Sequence, residues 1–186
     1  ASDACDKLRY EQIKNPKLIE NSEEFKIIVS TDKKNNTIEI SDNGIGMSKD
    51  ELINSLGTIA KSGTEEFIKK MEKDSDNNVD QIGKFGVGFY SGFMVSDDIK
   101  VLSKKAGAKE GWQWSSDGKG KFEIQKIDKE TQGTLVQVKL NSKSKEFSEK
   151  LRIENIIKKY SDHIPHSVYI LESDIKDKNE EKVNKG

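Results

Sequence analysis

Asp42 closes a run of alternating apolar residues and is followed by Asn43, Gly44, Ile45, Gly46 and Met47. An ionised carboxylate only accepts hydrogen bonds, so a buried aspartate at a strand end calls for a donor such as an exocyclic amine. Glycines two and four residues later remove side chains and let backbone approach a flat ligand. The same residues also read as a plain Asp-Asn-Gly turn. A second group, Gly83, Gly86 and Gly88, has the spacing G-x-x-G-x-G ahead of a bulky apolar stretch. Successive N–H groups at a helix start form an anion cradle, and the helix dipole adds to it. The plainer alternative is a tightly packed helix start. The group is neither a Walker loop, which needs Gly-Lys-Ser/Thr, nor a dinucleotide fingerprint, which needs a βαβ unit. Between the two, Gly57 and Gly63 bracket Lys61. That spacing suits a movable segment bringing a cation to a phosphate, or an ordinary helix connection with a solvated lysine. Thr134, after Gly133, offers a hydroxyl able to share a water with Asp42.

These groups need elements to hold them. The periodicity predicts a first helix from Ala1 to the Asn15-Pro16 stop, already in phase at the first residue, with Cys5 as a small buried member. Strands follow at 25–30 and 37–41, then a short helix opened by the capping box Ser48 to Glu51 and ending near Gly57. A second capping box, Ser62 to Glu65, starts a helix striped by Phe67, Ile68 and Met71. Period-two runs at 99–102, 112–115, 122–127 and 134–140 predict strands, Phe147 to Tyr160 one amphipathic helix, and 168–171 a last strand. The nearly apolar-free 173–186 reads as the start of a charged linker, which leaves 1–172 as the domain. Helices gathered around hairpin-linked strands predict an α+β two-layer sandwich, with helices on one face of a mostly antiparallel sheet.

Composition narrows the partners. The chain has 186 residues with 32 basic and 33 acidic side chains, so no basic field advertises a nucleic acid or a membrane surface. Thirty of the basic residues are lysines, which suit a solvated surface better than bidentate clamps. A single cysteine excludes an internal disulfide and fits a reducing compartment. The longest nearly apolar run, Phe85 to Val95, is short of the ~20 residues that cross a bilayer. No charged-then-apolar leader opens the chain. The expected location is the cytoplasm. His163 and His166 stand as H-x-x-H, but zinc wants three or four ligands and no second cysteine or third histidine exists.

Read in order, ASDACDKLRY, DNGIGM, LGTIAKSGT, IGKFGVGFYSGFMV and KYSDHI resemble the nucleotide domain of the ninety-kilodalton heat-shock chaperones. The bacterial HtpG branch is most similar, from Ala1 to about Glu172. That domain has the Bergerat or GHKL ATP-binding fold, shared with gyrase B subunits, MutL-type repair proteins and sensor histidine kinases. The resemblance implies ATP/ADP and Mg²⁺ as ligands. It implies that Asp42 accepts the adenine amino group, with Thr134 and ordered water completing the purine edge. Gly46 and Met47 would line the base, with Ala4 and Leu56 nearby. Gly86, Val87, Gly88 and Phe89 would offer N–H groups to the phosphates, and Lys61 would add charge from a lid spanning about 48–88. Asp3 would sit near the phosphates or their metal, or else form an i,i+4 pair with Lys7 worth ~0.3–0.5 kcal/mol. Ser55 departs from the asparagine of eukaryotic members and carries no ligand role.

In the family pattern a water-positioning glutamate and a Mg²⁺-holding asparagine lie just before the position of Ala1. No catalytic or metal-ligating residue is therefore expected within these 186 residues, which should bind ATP without turning it over. The resemblance implies a longer parent in which ATP binding and hydrolysis drive lid closure and client-protein folding. It also implies middle and C-terminal domains and a homodimer. Two other readings share the pocket: an adenine-nucleotide sensor without hydrolysis, and a kinase or topoisomerase ATPase. The net charge of −1 and the GTIAKSGT segment disfavour the second.

Overall fold

The structure, a computed structural model, describes residues 1–18, 24–57, 87–172 and 181–184. Helix α1 (Ser2–Lys14) has no side-chain cap at its start and stops at Asn15, before the proline, as expected. It buries Cys5 and Leu8 but leaves Ile13 exposed, so only the first half of its apolar stripe packs. Strands β1 (Lys26–Asp32) and β2 (Thr37–Asp42) form a hairpin closed by Asn36 in the left-handed region (φ 51°). The Asp32 carboxylate braces that turn by accepting from the Asn35 backbone N–H at 2.8 Å. Helix α2 (Lys49–Leu52) begins with the predicted capping box: Ser48 Oγ accepts from Glu51 N–H, and Glu51 Oε2 accepts from Ser48 N–H at 2.7 Å. One π-turn, Ile53–Gly57, follows. The second capping box at Ser62 lies outside the described residues.

A 3-10 turn at Val87–Phe89 and helix α3 (Gly92–Val95) lead into β3 (Ser96–Lys104), β4 (Gly111–Ser116), β5 (Glu123–Ile127) and β6 (Gly133–Leu140). Helix α4 (Lys150–Tyr160), β7 (Ser167–Glu172) and β8 (Glu181–Lys182) complete the described chain. The eight strands form one sheet in the order β5-β4-β3-β6-β2-β1-β7-β8. Every neighbouring pair is antiparallel except β1 with β7.

Register decides which residues share a face. Val29, Ile40, Val136, Val101 and Trp114 stand abreast, and one step along lie Ile27, Asp42, Thr134, Ser103 and Trp112. On that face Leu52 and Leu56 pack against Ile99, Val101, Trp114, Val138 and Leu140. On the same face Ile153 and Ile157 of α4 pack against Ile27, Val29, Val168 and Ile170. The layers are therefore those of the predicted α+β sandwich. Among the described residues no helix is long and apolar enough to cross a membrane.

Two expectations differ from the structure. The helix predicted from Phe147 is split: Phe147 sits in a 3-10 turn (Lys145–Ser148), Glu149 is extended at φ −84° and ψ 122°, and α4 begins only at Lys150. Leu151, one residue out of phase with Ile153 and Ile157, is exposed. The stretch expected to be linker also returns to the sheet. Strand β8 pairs antiparallel with β7, and Val183 joins the α4 cluster. Asn184 accepts the Val168 N–H at 2.9 Å and donates to the His166 carbonyl at 2.7 Å. The described fold thus runs to Asn184, beyond the boundary expected at residue 172.

Candidate functional site

Asp42 ends β2 on the helix-bearing face with its side chain only 6% exposed. Its Oδ1 accepts the Gly44 N–H at 3.0 Å, and Oδ2 lies 3.9 Å from the Ala1 ammonium. Burial pushes its pKa above the ordinary aspartate value. The Ala1 ammonium, the N–H groups of Gly44 and Thr134, and Lys129 pull the other way. A largely desolvated carboxylate with spare acceptor capacity favours a hydrogen-bond donor over water. Asp42 also borders a cavity of about 790 Å³, but the wall of that cavity includes Ile28, Ser41 and Leu135, which alternate onto the opposite face of the sheet, and none of Ile40, Gly46 and Met47.

The segment after Asp42 is held from both sides. Ile45 donates to the Ala4 carbonyl at 3.0 Å, and the Ile45 carbonyl accepts from Ala106 at 2.8 Å. A Cβ on Gly44 would lie 2.5 Å from the Ala4 carbonyl carbon. A Cβ on Gly46, where φ is +64°, would lie 2.0 Å from the Lys104 carbonyl oxygen. These glycines are therefore required by α1 and by the end of β3. Close approach to a ligand was the expected reason, and the chain's own packing supplies another.

Met47 donates its N–H to Ser103 Oγ at 2.8 Å, and Ser103 Oγ is 2.8 Å from Thr134 Oγ1. The Thr134 hydroxyl thus meets Ser103 directly, while its backbone N–H faces Asp42. Ser103 is fully buried and was not singled out from the sequence. The available signal was a serine in phase with Ile99 and Val101, on the inward side of an otherwise apolar strand. Ile40 was missed as well. It is 37% exposed although Val29, its partner on β1, is buried. Two residues before Asp42, on the same face, it leaves an open apolar floor beside the carboxylate.

Met47, Leu56 and Phe89 come together around Trp114, with Leu56 buried and the other two packed on the cluster. The Phe89 ring meets Trp114 edge-on, centroids 5.6 Å apart. The Tyr90 hydroxyl donates to the Leu56 carbonyl at 3.0 Å, and burial pushes its pKa up to about 12. Val87 opens the 3-10 turn, and Gly88 is exposed. Lys61 and Gly86 lie outside the described residues. Asp3 is exposed on α1, and Ala4 is half-buried through its contact with Ile45. The structure therefore gathers Asp42, Thr134, Gly46 and Met47, with Ser103 bonded to Met47 and Thr134, and places Leu56, Phe89 and Met47 on one apolar cluster.

The two histidines part company. His166 is buried with Nε2 3.0 Å from Asp6 Oδ1, and His163 is exposed. Among the described residues no three His, Cys, Asp or Glu side chains are placed to hold a metal ion. Cys5 is buried, and burial and then Asp42 push its thiol up to about 11, consistent with a packing role.

Residues 11–152, which include Asp42, Met47, Leu56, Phe89 and Thr134, match the family model described as histidine kinase-, DNA gyrase B-, and HSP90-like ATPase. The sequence is 51% identical over 168 residues to the chaperone protein HtpG of Roseobacter denitrificans, a stretch covering 90% of this chain and 27% of that protein. It is 47% identical over 184 residues to chaperone protein HtpG of Paramagnetospirillum magneticum, covering 99% of this chain and 29% of the relative. Against chaperone protein HtpG of Buchnera aphidicola the identity is 49% over 190 residues, covering 100% of this chain and 30% of the relative. The chain spans less than a third of the length of these curated relatives.

Proposed function

For a chain that belongs to the histidine kinase-, DNA gyrase B- and HSP90-like ATPase family, we propose the role of adenine-nucleotide-binding part of an HtpG-type molecular chaperone. Asp42 accepts the exocyclic amine of adenine, and water bridging to Thr134 completes the purine edge. Ile40, Gly46 and Met47 lie along the base, with Ala4 and Leu56 nearby. The N–H groups of Gly86, Val87, Gly88 and Phe89 receive the phosphates, with Lys61 and Asp3 close to them. Magnesium enters on the phosphates of the nucleotide. Among the described residues no three His, Cys, Asp or Glu side chains are grouped to hold it.

In the longer protein, ATP binding and hydrolysis close the segment at about 48–88 and drive work on client proteins in the cytoplasm, within a homodimer whose further domains lie outside this chain. Closure requires that the γ-phosphate contact that segment better closed than open. The identity of about half the residues to HtpG chaperones supports this reading over a kinase or topoisomerase. So does the net charge of −1.

One observation carries the reading: the desolvated Asp42 carboxylate stands on the helix-bearing face, opposite Thr134 and two residues from the partly exposed Ile40. Calorimetry with ADP tests it. The chain should bind ADP saturably, and Asp42→Asn should weaken binding by roughly ten- to a hundredfold, as expected for losing a hydrogen bond to a charged group. No heat with ADP, or an unchanged affinity in Asp42→Asn, would contradict it.

A further inference from the structure

Ser103 is fully buried on β3, and the register sets it opposite Thr134 on β6, which in turn stands opposite Asp42 on β2. All three belong to the helix-bearing face. Hydrogen-bond accounting then fixes where the Ser103 proton goes. A backbone N–H can only donate, so the 2.8 Å contact with Met47 uses the serine oxygen as acceptor. The serine proton has two oxygens to choose between, Thr134 Oγ1 at 2.8 Å and the Gly133 carbonyl at 3.3 Å. The first is the ordinary length of an O–H···O bond, and the second lies beyond its usual range. Ser103 therefore donates to Thr134.

That direction decides what Thr134 can offer in turn. Its hydroxyl carries a single proton, and with Ser103 donating to it that proton is left for another acceptor. Among the described residues Thr134 Oγ1 meets no partner besides Ser103. Asp42 and Thr134 thus stand side by side as an acceptor and a donor. Adenine presents the matching order, an exocyclic amine that donates and beside it a ring nitrogen that accepts. Hypoxanthine reverses both, with a carbonyl and a ring N–H. A bridging water preserves the distinction, since it accepts from the hydroxyl and donates to the ring nitrogen.

We propose that Ser103 is a positioning residue for base selection, acting through Thr134: by donating to Oγ1 it turns the threonine proton toward the purine edge. The inference rests on the adenine reading above and adds to it how adenine is told from hypoxanthine. Presenting the reverse order would require Thr134 to donate to Ser103, whose proton would then be left with the carbonyl at 3.3 Å. The preferred direction is thus built into the difference between two distances.

The test measures ADP and inosine diphosphate by calorimetry on the unsubstituted chain, Ser103→Ala, Ser103→Thr, Thr134→Val and the double variant Ser103→Ala with Thr134→Val. Ser103→Ala should weaken ADP roughly three- to tenfold more than it weakens inosine diphosphate, the span of one neutral hydrogen bond. Ser103→Thr, which keeps the hydroxyl, should keep the preference. In the Thr134→Val background Ser103→Ala should narrow the preference no further, because the group it acts through is gone. Equal weakening of both nucleotides by Ser103→Ala overturns the proposal, since a serine that only holds the Met47 segment would act on both alike. A preference that narrows again in the Thr134→Val background overturns it too. If Ser103→Ala does not fold, Ser103→Cys, whose thiol is a weak donor, is read in the same way. An unsubstituted chain that binds neither nucleotide, or both equally, overturns the adenine reading and this inference with it. A preference for ADP that Ser103→Ala leaves intact removes this inference alone.

Discussion

Ser103 and Thr134 face each other across β3 and β6 with their hydroxyl oxygens 2.8 Å apart, and Ser103 also accepts the Met47 N–H at 2.8 Å. One buried hydroxyl thus ties the glycine-rich segment after Asp42 to two central strands. Because Ser103 Oγ accepts from Met47, its own proton is free for Thr134 or for the Gly133 carbonyl at 3.3 Å.

That arrangement ranks two substitutions. Ser103→Ala leaves the Met47 N–H without its acceptor and should cost about 1–3 kcal/mol. Thr134→Val leaves Ser103 the Gly133 carbonyl and should cost less than about 1 kcal/mol, as for one neutral hydrogen bond. Urea midpoints of the two variants check the order. Equal losses would mean that the serine is not the hub.

Gly46 has no room for a side chain. Its φ of +64° disfavours any L-residue, and a Cβ would meet the Lys104 carbonyl oxygen at 2.0 Å. Gly46→Ala should therefore destabilise by more than about 2 kcal/mol, lowering the Tm by at least roughly 4 °C for a chain of this size. Gly107→Ala is a milder control: φ is +76° there too, but the nearest atom is the end of the flexible Leu18 side chain at 3.3 Å. A thermal scan in which Gly46→Ala melts no lower than Gly107→Ala would contradict the described packing.

Burial of Asp42 also makes a statement about stability and pH. Its folded pKa lies above the ordinary value of 3.8, so between those two values the folded chain holds more protons than the unfolded one. Stability contributed by this group therefore falls as pH rises through that window, and the loss is complete above the folded pKa. Asp42→Asn removes the penalty while keeping an oxygen to accept the Gly44 N–H. The variant should melt higher than the unsubstituted chain at neutral pH, and the gap should close as pH falls below 3.8. A lower Tm for the variant at neutral pH would show that the carboxylate stabilises the empty fold.

Local signals were legible in the sequence and distant ones were not. The Asn15-Pro16 stop, the Ser48 capping box and the β1–β2 hairpin depend on residues close in the chain, and each stands where its residues place it. Strand β8 depends on pairing with β7 and on one valine and one asparagine, and nothing in the charged composition of 173–186 announces it. At the site, Asp42 and Thr134 could be chosen by residue type, and the register of β2 and β6 sets them opposite each other. Ser103 and Ile40 matter through which face of the sheet they occupy and what lies across from them, and that is settled only once strands distant in sequence are paired.

The most direct test of the account replaces the one group that Asp42 is said to recognise. Inosine diphosphate carries a carbonyl where ADP carries its amine, which turns a donor facing the Asp42 carboxylate into an acceptor. Calorimetry on this chain should find ADP bound at least about tenfold more tightly than inosine diphosphate, since an acceptor facing a buried carboxylate leaves both groups unpaired. Asp42→Asn, whose amide can donate, should narrow that gap. Equal affinities for the two nucleotides in the unsubstituted chain would contradict purine recognition by Asp42.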